Sequence, residues 1–172
     1  MKTGIFAALA ALALAVFAVA EAQGDRGTDV NQQLFGHTIE IEAAGPGELS
    51  TAAINAIAKG EPGKALVTAV LVFRESTLPP TPNPLCPDEF PFGQEIARFE
   101  WGETYNDGST LAGYLPPPGV VCSDGILSVA DLVGVITGGT GRFEGASGTW
   151  AVEAFSPLAN TTTTGTLTVD LD

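Results

Sequence analysis

Cations are scarce in this chain. Seven Lys and Arg stand against 20 Asp and Glu in 172 residues, a formal net charge of −13 at pH 7. So acidic a protein repels phosphate backbones and anionic lipid headgroups, which sets nucleic acid aside as a partner. The carboxylates are scattered rather than blocked, as expected for the solubility of an exported β-protein. Histidine is scarcer still: His37 is the only one. A Ser-His-Asp set would have to pass through that residue, and a metal site would have to do without further imidazoles. Cysteine occurs only at Cys86 and Cys122. With no CxxC pair and no histidine nearby, neither a zinc ligand set nor a dithiol redox motif is present, so no metal and no cofactor is expected.

Long apolar runs are also few. The uninterrupted one, Ile5 to Ala20, follows a single lysine, Lys2, and ends in small residues suited to cleavage, Ala18-Val19-Ala20 or Ala20-Glu21-Ala22. It falls short of the ~20 apolar residues of a membrane span and reads as a signal peptide over residues 1–22. No cysteine near its end offers a lipid attachment point. The expectation is a secreted or extracytoplasmic protein with no stable membrane insertion after cleavage. Residues 23–36, beginning QGDRGTDVNQQ, are polar without an apolar period and read as a flexible mature N-terminus. One domain, 37–172, remains, of ordinary size for a single core.

What the chain does have is β-pattern. His37 to Ala43, HTIEIEA, alternates, which predicts a first strand with Ile39 and Ile41 on one face and Glu40 and Glu42 on the other. The isoleucines are the expected inward face. The reverse register would bury a carboxylate with a raised pKa. Residues 49–59 suit a short helix or a strand, and the flanking glycines favour the strand. Pro62 and Gly63 predict a reversal into ALVTAVLVF at 65–73, which is apolar on both faces and so expected to be covered outside as well, for instance by a neighbouring subunit.

In EIARFEWGET, 95–104, Ile96, Arg98 and Glu100 share one face by simple alternation, and Ala97, Phe99 and Trp101 the other, inner one. Asn106-Asp107-Gly108 predicts a hairpin into STLAGYL. Asp131 in ILSVADLVGVITG shares a strand face with Val129, Val133 and Val135. That leaves it inward among apolar groups, outward on an apolar surface, or re-aimed by a bulge. The threonine-rich C-terminus, with Leu167, Val169 and Leu171 on one face, should close the sheet. Asn160-Thr161-Thr162 matches a glycosylation acceptor.

Two proline-rich segments, 78–92 and 115–124, are too poor in backbone donors for paired strands and predict stiff loops. Each carries one cysteine. In an exported chain the even pair predicts a Cys86–Cys122 disulfide tying the two loops together at one end of the fold, where they could form a lid or a partner-binding rim.

Gly134 to Trp150, GVITGGTGRFEGASGTW, is a β-branched run, a glycine knot and a second alternating run. The glycines permit repeated tight reversal, and Phe143 is expected to fold inward beneath them as a plug. A phosphate cradle would need a helix N-terminus after the glycines, and strand spacing follows instead. This stretch resembles the corresponding segment of the allene oxide cyclase family and, more distantly, the GGTG-F motif of dirigent proteins. The likeness covers about a tenth of the chain. It implies an all-β, antiparallel eight-stranded barrel, allene oxide cyclase-like and calycin-like in class, with an apolar lumen and a homo-oligomeric, trimeric assembly. The shared residues are turn glycines and the plug, so no catalytic group carries over.

The functional expectation is an exported barrel holding a small apolar ligand in its lumen or a partner at its rim. Phe99, Trp101 and Asp131 are the candidate ligand-binding residues. The alternatives are an isomerase similar to allene oxide cyclase, cyclising an unsaturated epoxide chiefly by shaping it, and a dirigent-like protein that orients substrates.

Overall fold

The computed structural model describes residues 30–42, 50–74, 82–159 and 162–172. The signal-peptide reading, Asn160, and the choice between Ile39/Ile41 and Glu40/Glu42 as the inner face concern residues or side chains outside those described. Among the described residues nine strands carry the fold: β1 (Val30–Glu42), β2 (Ser50–Glu61), β3 (Ala65–Phe73), β4 (Phe92–Tyr105), β5 (Thr110–Tyr114), β6 (Gly119–Ser123), β7 (Leu127–Thr140), β8 (Gly148–Pro157) and β9 (Thr162–Leu171). A single 3₁₀ turn, Gly141–Phe143, joins β7 to β8.

Every pairing between these strands is antiparallel, and the order β3-β2-β1-β9-β8-β7-β5-β4 is closed by β3 pairing with β4. β5 and β6 share one place in the ring. β5 pairs with the second half of β4 and the end of β7, whereas β6 pairs with the first half of β4 and the start of β7. The result is a closed barrel of eight strand positions, one of them interrupted. Pro116 to Pro118 make the interruption, since proline offers no N–H to the ladder. The loop expected over 115–124 is therefore shorter: pairing resumes at Gly119, as soon as the prolines end, and Cys122 lies on a strand.

Alternation dictates which face is inside. On β3, Ala65, Val67, Ala69 and Leu71 are buried while Leu66 and Val70 stay exposed on the outer wall. In register with Leu66 lie Ile57 and Phe35, also exposed, which gives the barrel an apolar outer row. β1 begins at Val30, not His37. Val30, Gln32 and Leu34 are buried at alternate positions, so part of the segment expected to be flexible is wall. One polar residue on the inner face, Gln32, hides the apolar period that would have announced the strand.

On β4 a bulge corrects simple alternation. Val72 pairs with Arg98 but Phe73 with Ile96, so Ala97 is the extra residue and Ile96 joins Phe99 and Trp101 inside. The β2–β3 and β4–β5 reversals and the glycine knot gather at one end of the barrel. Within the knot Gly141 has φ +62°, and a Cβ there would lie 2.5 Å from Ser109 Oγ. Only glycine fits both demands. Phe143 then tucks in beneath, 3% exposed, against Tyr105 at 5.0 Å between ring centroids. The Cys86–Cys122 bridge, with Cα atoms 5.7 Å apart, lies at the opposite end.

Candidate functional site

Among the described residues a cavity of about 470 Å³ enters the barrel at the disulfide end, lined by the polar Thr38, Ser50, Thr51, Gln94, Ser128, Ser156 and Thr163 and by apolar side chains that include Phe73, Val121 and Leu158. A second chamber of about 80 Å³ lies below it and is lined by Leu34, Phe99, Trp101, Leu132, Trp150 and Leu167, among other apolar side chains. Ile54, Leu71, Ala130, Ala154 and Thr163 border both spaces, so the two form one graded site: hydroxyls interleaved with apolar side chains at the mouth, apolar side chains and aromatic rings on the floor. No charged side chain lines either space among the described residues.

The floor is built on a tryptophan pair. Trp150 on β8 meets Trp101 edge-on at 5.8 Å and Phe99 at 5.4 Å. Its indole needs room against the wall, and glycines supply it: a Cβ on Gly134 would come within 2.4 Å of the Trp150 ring, and one on Gly113 within 2.7 Å of its nitrogen. The Trp150 N–H is shared between the carbonyls of Tyr114 and Val135, each at 3.1 Å, which holds the ring in one orientation. Four strands thus fix one aromatic surface.

The mouth is polar but internally bonded. Thr163 Oγ1 lies 3.1 Å from Thr38 Oγ1 and 2.8 Å from Ser156 Oγ, making a three-hydroxyl chain across β1, β9 and β8. Ser128 Oγ donates to the Ser156 carbonyl at 3.1 Å. Across the opening, Gln94 Nε2 reaches Ser50 Oγ at 3.5 Å.

The opposite end holds a carboxyl. Glu103 is 1% exposed on the inner face of β4, and the Tyr105 hydroxyl donates to its Oε2. Gln32, buried nearby on β1, donates from its Nε2 to the Gly63 carbonyl at 3.0 Å. Burial raises the Glu103 carboxyl from its ordinary 4.5 to about 7, against the opposing pull of the Tyr105 hydroxyl and the Arg142 charge. Burial, reinforced by the neighbouring Glu103, pushes the Tyr105 hydroxyl well above the ordinary phenol range. Arg142 stacks on the Tyr105 and Phe143 rings, 4.4 and 5.0 Å from their centroids, and pairs with Asp107 at 3.4 Å. The knot's cation seals the end it sits on.

Of the three residues singled out as ligand-binding, Phe99 and Trp101 stand together on the chamber floor and Asp131 does not join them. It is exposed on the outer wall, opposite Glu153 across the β7–β8 ladder. No bulge is needed there, because regular alternation already places Leu132 inside and Asp131 and Val133 outside. Sequence reasoning missed Trp150 as floor, Thr163 as the junction of the two spaces, and Glu103. Parity was the available signal for the last: the inner face through Phe99 and Trp101 runs on to Glu103 and Tyr105. No family model matches the chain, and no match was found among curated proteins or solved structures. The disulfide is compatible with an oxidising, extracellular setting. No helix among the described residues is long and apolar enough to cross a membrane.

Proposed function

We propose that this protein is an exported barrel that binds a small, largely apolar molecule in its lumen. The observation that carries the reading is the open cavity of about 470 Å³ above a floor of Phe99, Trp101 and Trp150. Pockets that take small molecules run to ~300–1,000 Å³ and combine apolar walls with a few placed polar groups. An eight-stranded barrel is about wide enough to be filled by its own side chains or to hold one such ligand. Here the described side chains fill one end and surround a cavity at the other.

The floor reports its own occupancy. Titration with an apolar, environment-sensitive fluorophore should give a saturable change in tryptophan emission, and Trp101→Phe should lose most of it. Because the two indoles touch, Trp150→Phe should lower the response too, not serve as an unaffected control. An unsaturable or absent response in the wild-type chain would reject lumen binding.

A further inference from the structure

The cavity's polarity is graded along its depth, and that gradient specifies a ligand more narrowly than apolar character does. The lower chamber offers hydrocarbon and aromatic surface; among its described lining residues Thr163 carries the one hydroxyl and also borders the mouth, while the Trp150 N–H is bonded to backbone carbonyls and the Trp101 N–H is buried. Thr163 is 7% exposed and lies where the two spaces meet. A ligand long enough to touch the floor must pass this hydroxyl.

Three hydroxyls joined by two hydrogen bonds use two of their three protons within the chain Thr38–Thr163–Ser156. Each hydroxyl can rotate, so the chain can run in either direction. It can therefore offer one O–H to a carbonyl or accept one from an alcohol. A carboxylate fares differently. It wants several donors or a cation, and among the described lining residues there is neither a lysine nor an arginine, in a protein of net charge −13. An ammonium would lose its water without a carboxylate beside it among those same residues.

We infer that the cavity takes a neutral amphiphile, an alcohol or carbonyl compound whose polar head sits on the Thr38–Thr163–Ser156 hydroxyl chain and whose hydrocarbon tail enters the Phe99–Trp101–Trp150 chamber. Thr163 is the specificity-determining residue, because it alone of the three borders both spaces, and its hydroxyl is bonded on the mouth side to Thr38 and Ser156. This inference rests on the lumen-binding reading and narrows it to a ligand class.

The test compares octane, octanol, octanamide, octanoate and octylamine by titration calorimetry on the whole secreted chain, with Thr163→Val and Ser156→Ala beside wild type. Valine keeps the shape of threonine without its hydroxyl. Octanol and octanamide should each lose about tenfold in affinity in Thr163→Val, the worth of one hydrogen bond, while octane keeps its affinity. At pH 8 octanoate and octylamine should bind wild type at least about tenfold more weakly than octanol, a margin that follows from the missing counter-charges. Ser156→Ala should reproduce the octanol loss in part, which covers the case of a misfolded Thr163→Val. If octanol and octane respond alike to both substitutions, or octanoate or octylamine matches octanol, the head-group assignment is overturned and lumen binding stands. If no compound in the series binds wild type, both readings fall together.

Discussion

The two ends of this barrel solve opposite problems with similar materials. At the knot end, polar and aromatic side chains are packed on one another: Glu103 bonded to Tyr105, Tyr105 against Phe143, Arg142 across both rings. At the disulfide end, among the described residues, a bonded hydroxyl chain over β1, β9 and β8 and apolar side chains such as Val121 and Leu158 surround a cavity of about 470 Å³. Side-chain volume makes the difference. Serine and threonine satisfy one another in pairs and leave space between strands, whereas an aromatic inserted from the β7–β8 turn fills it. Closure supplies stability and openness supplies a site, so substitutions at the two ends should separate the two properties.

The largest expected effect tests the plug. Phe143→Ala should lower stability by about 3–5 kcal/mol, the cost of emptying a buried aromatic position, while the mouth of what remains folded still binds an apolar probe. Chemical denaturation with the probe present or absent measures both. Melting within a degree or two of wild type would mean the knot end does not depend on Phe143.

The disulfide should come next. Cys86 and Cys122 are 36 residues apart, and in the chain-entropy model their bond is worth roughly 4 kcal/mol. Thiol titration of denatured, unreduced protein should find no free thiol. The Cys86→Ser/Cys122→Ser double variant should melt earlier and bind less sharply, because the bridge fastens the rim beside Val121. An undiminished binding curve would separate the rim from the site.

Glu103 gives a pH-dependent effect. Its folded value of about 7 lies above the ordinary 4.5, so the folded chain holds a proton that the unfolded chain releases. The linkage then reduces stability as pH rises from about 4.5 to 7, by about 3 kcal/mol in all, with no further change above. Glu103→Gln cannot ionise and should match wild type near pH 4 and exceed it near pH 8 by a similar amount. Equal slopes for the two proteins across that window would show that the carboxyl is hydrated.

Much of the wall was legible because alternation is a local property. Leu167 and Val169 on β9, the apolar faces of β3 and the Asn106–Gly108 hairpin are all where period-two reading puts them. The cysteine pair and the buried Phe143 were legible too, one from an even number of cysteines placed in two proline-rich segments, the other from a lone aromatic among glycines. Asp131 lies outside the lumen, the second of the three placements its apolar neighbours Val129, Val133 and Val135 left open, since nothing local says that an outer wall will carry valines. Ile96 was assigned to the wrong face because a bulge is a mismatch between two strands and leaves no mark on one of them.

The site lies further from the sequence than the wall does. Local pattern by itself determined an all-β chain, the positions of most strands, the glycine turn and the residues that could stand inside. Which inward residues meet depended on closure: Trp101 and Trp150 are 49 positions apart, and Thr38 and Thr163 are 125 apart along the chain, yet each pair is in contact. Closure also decided which end is filled, since a cavity is the volume left over when eight strands' side chains are added together, and no single strand carries that sum.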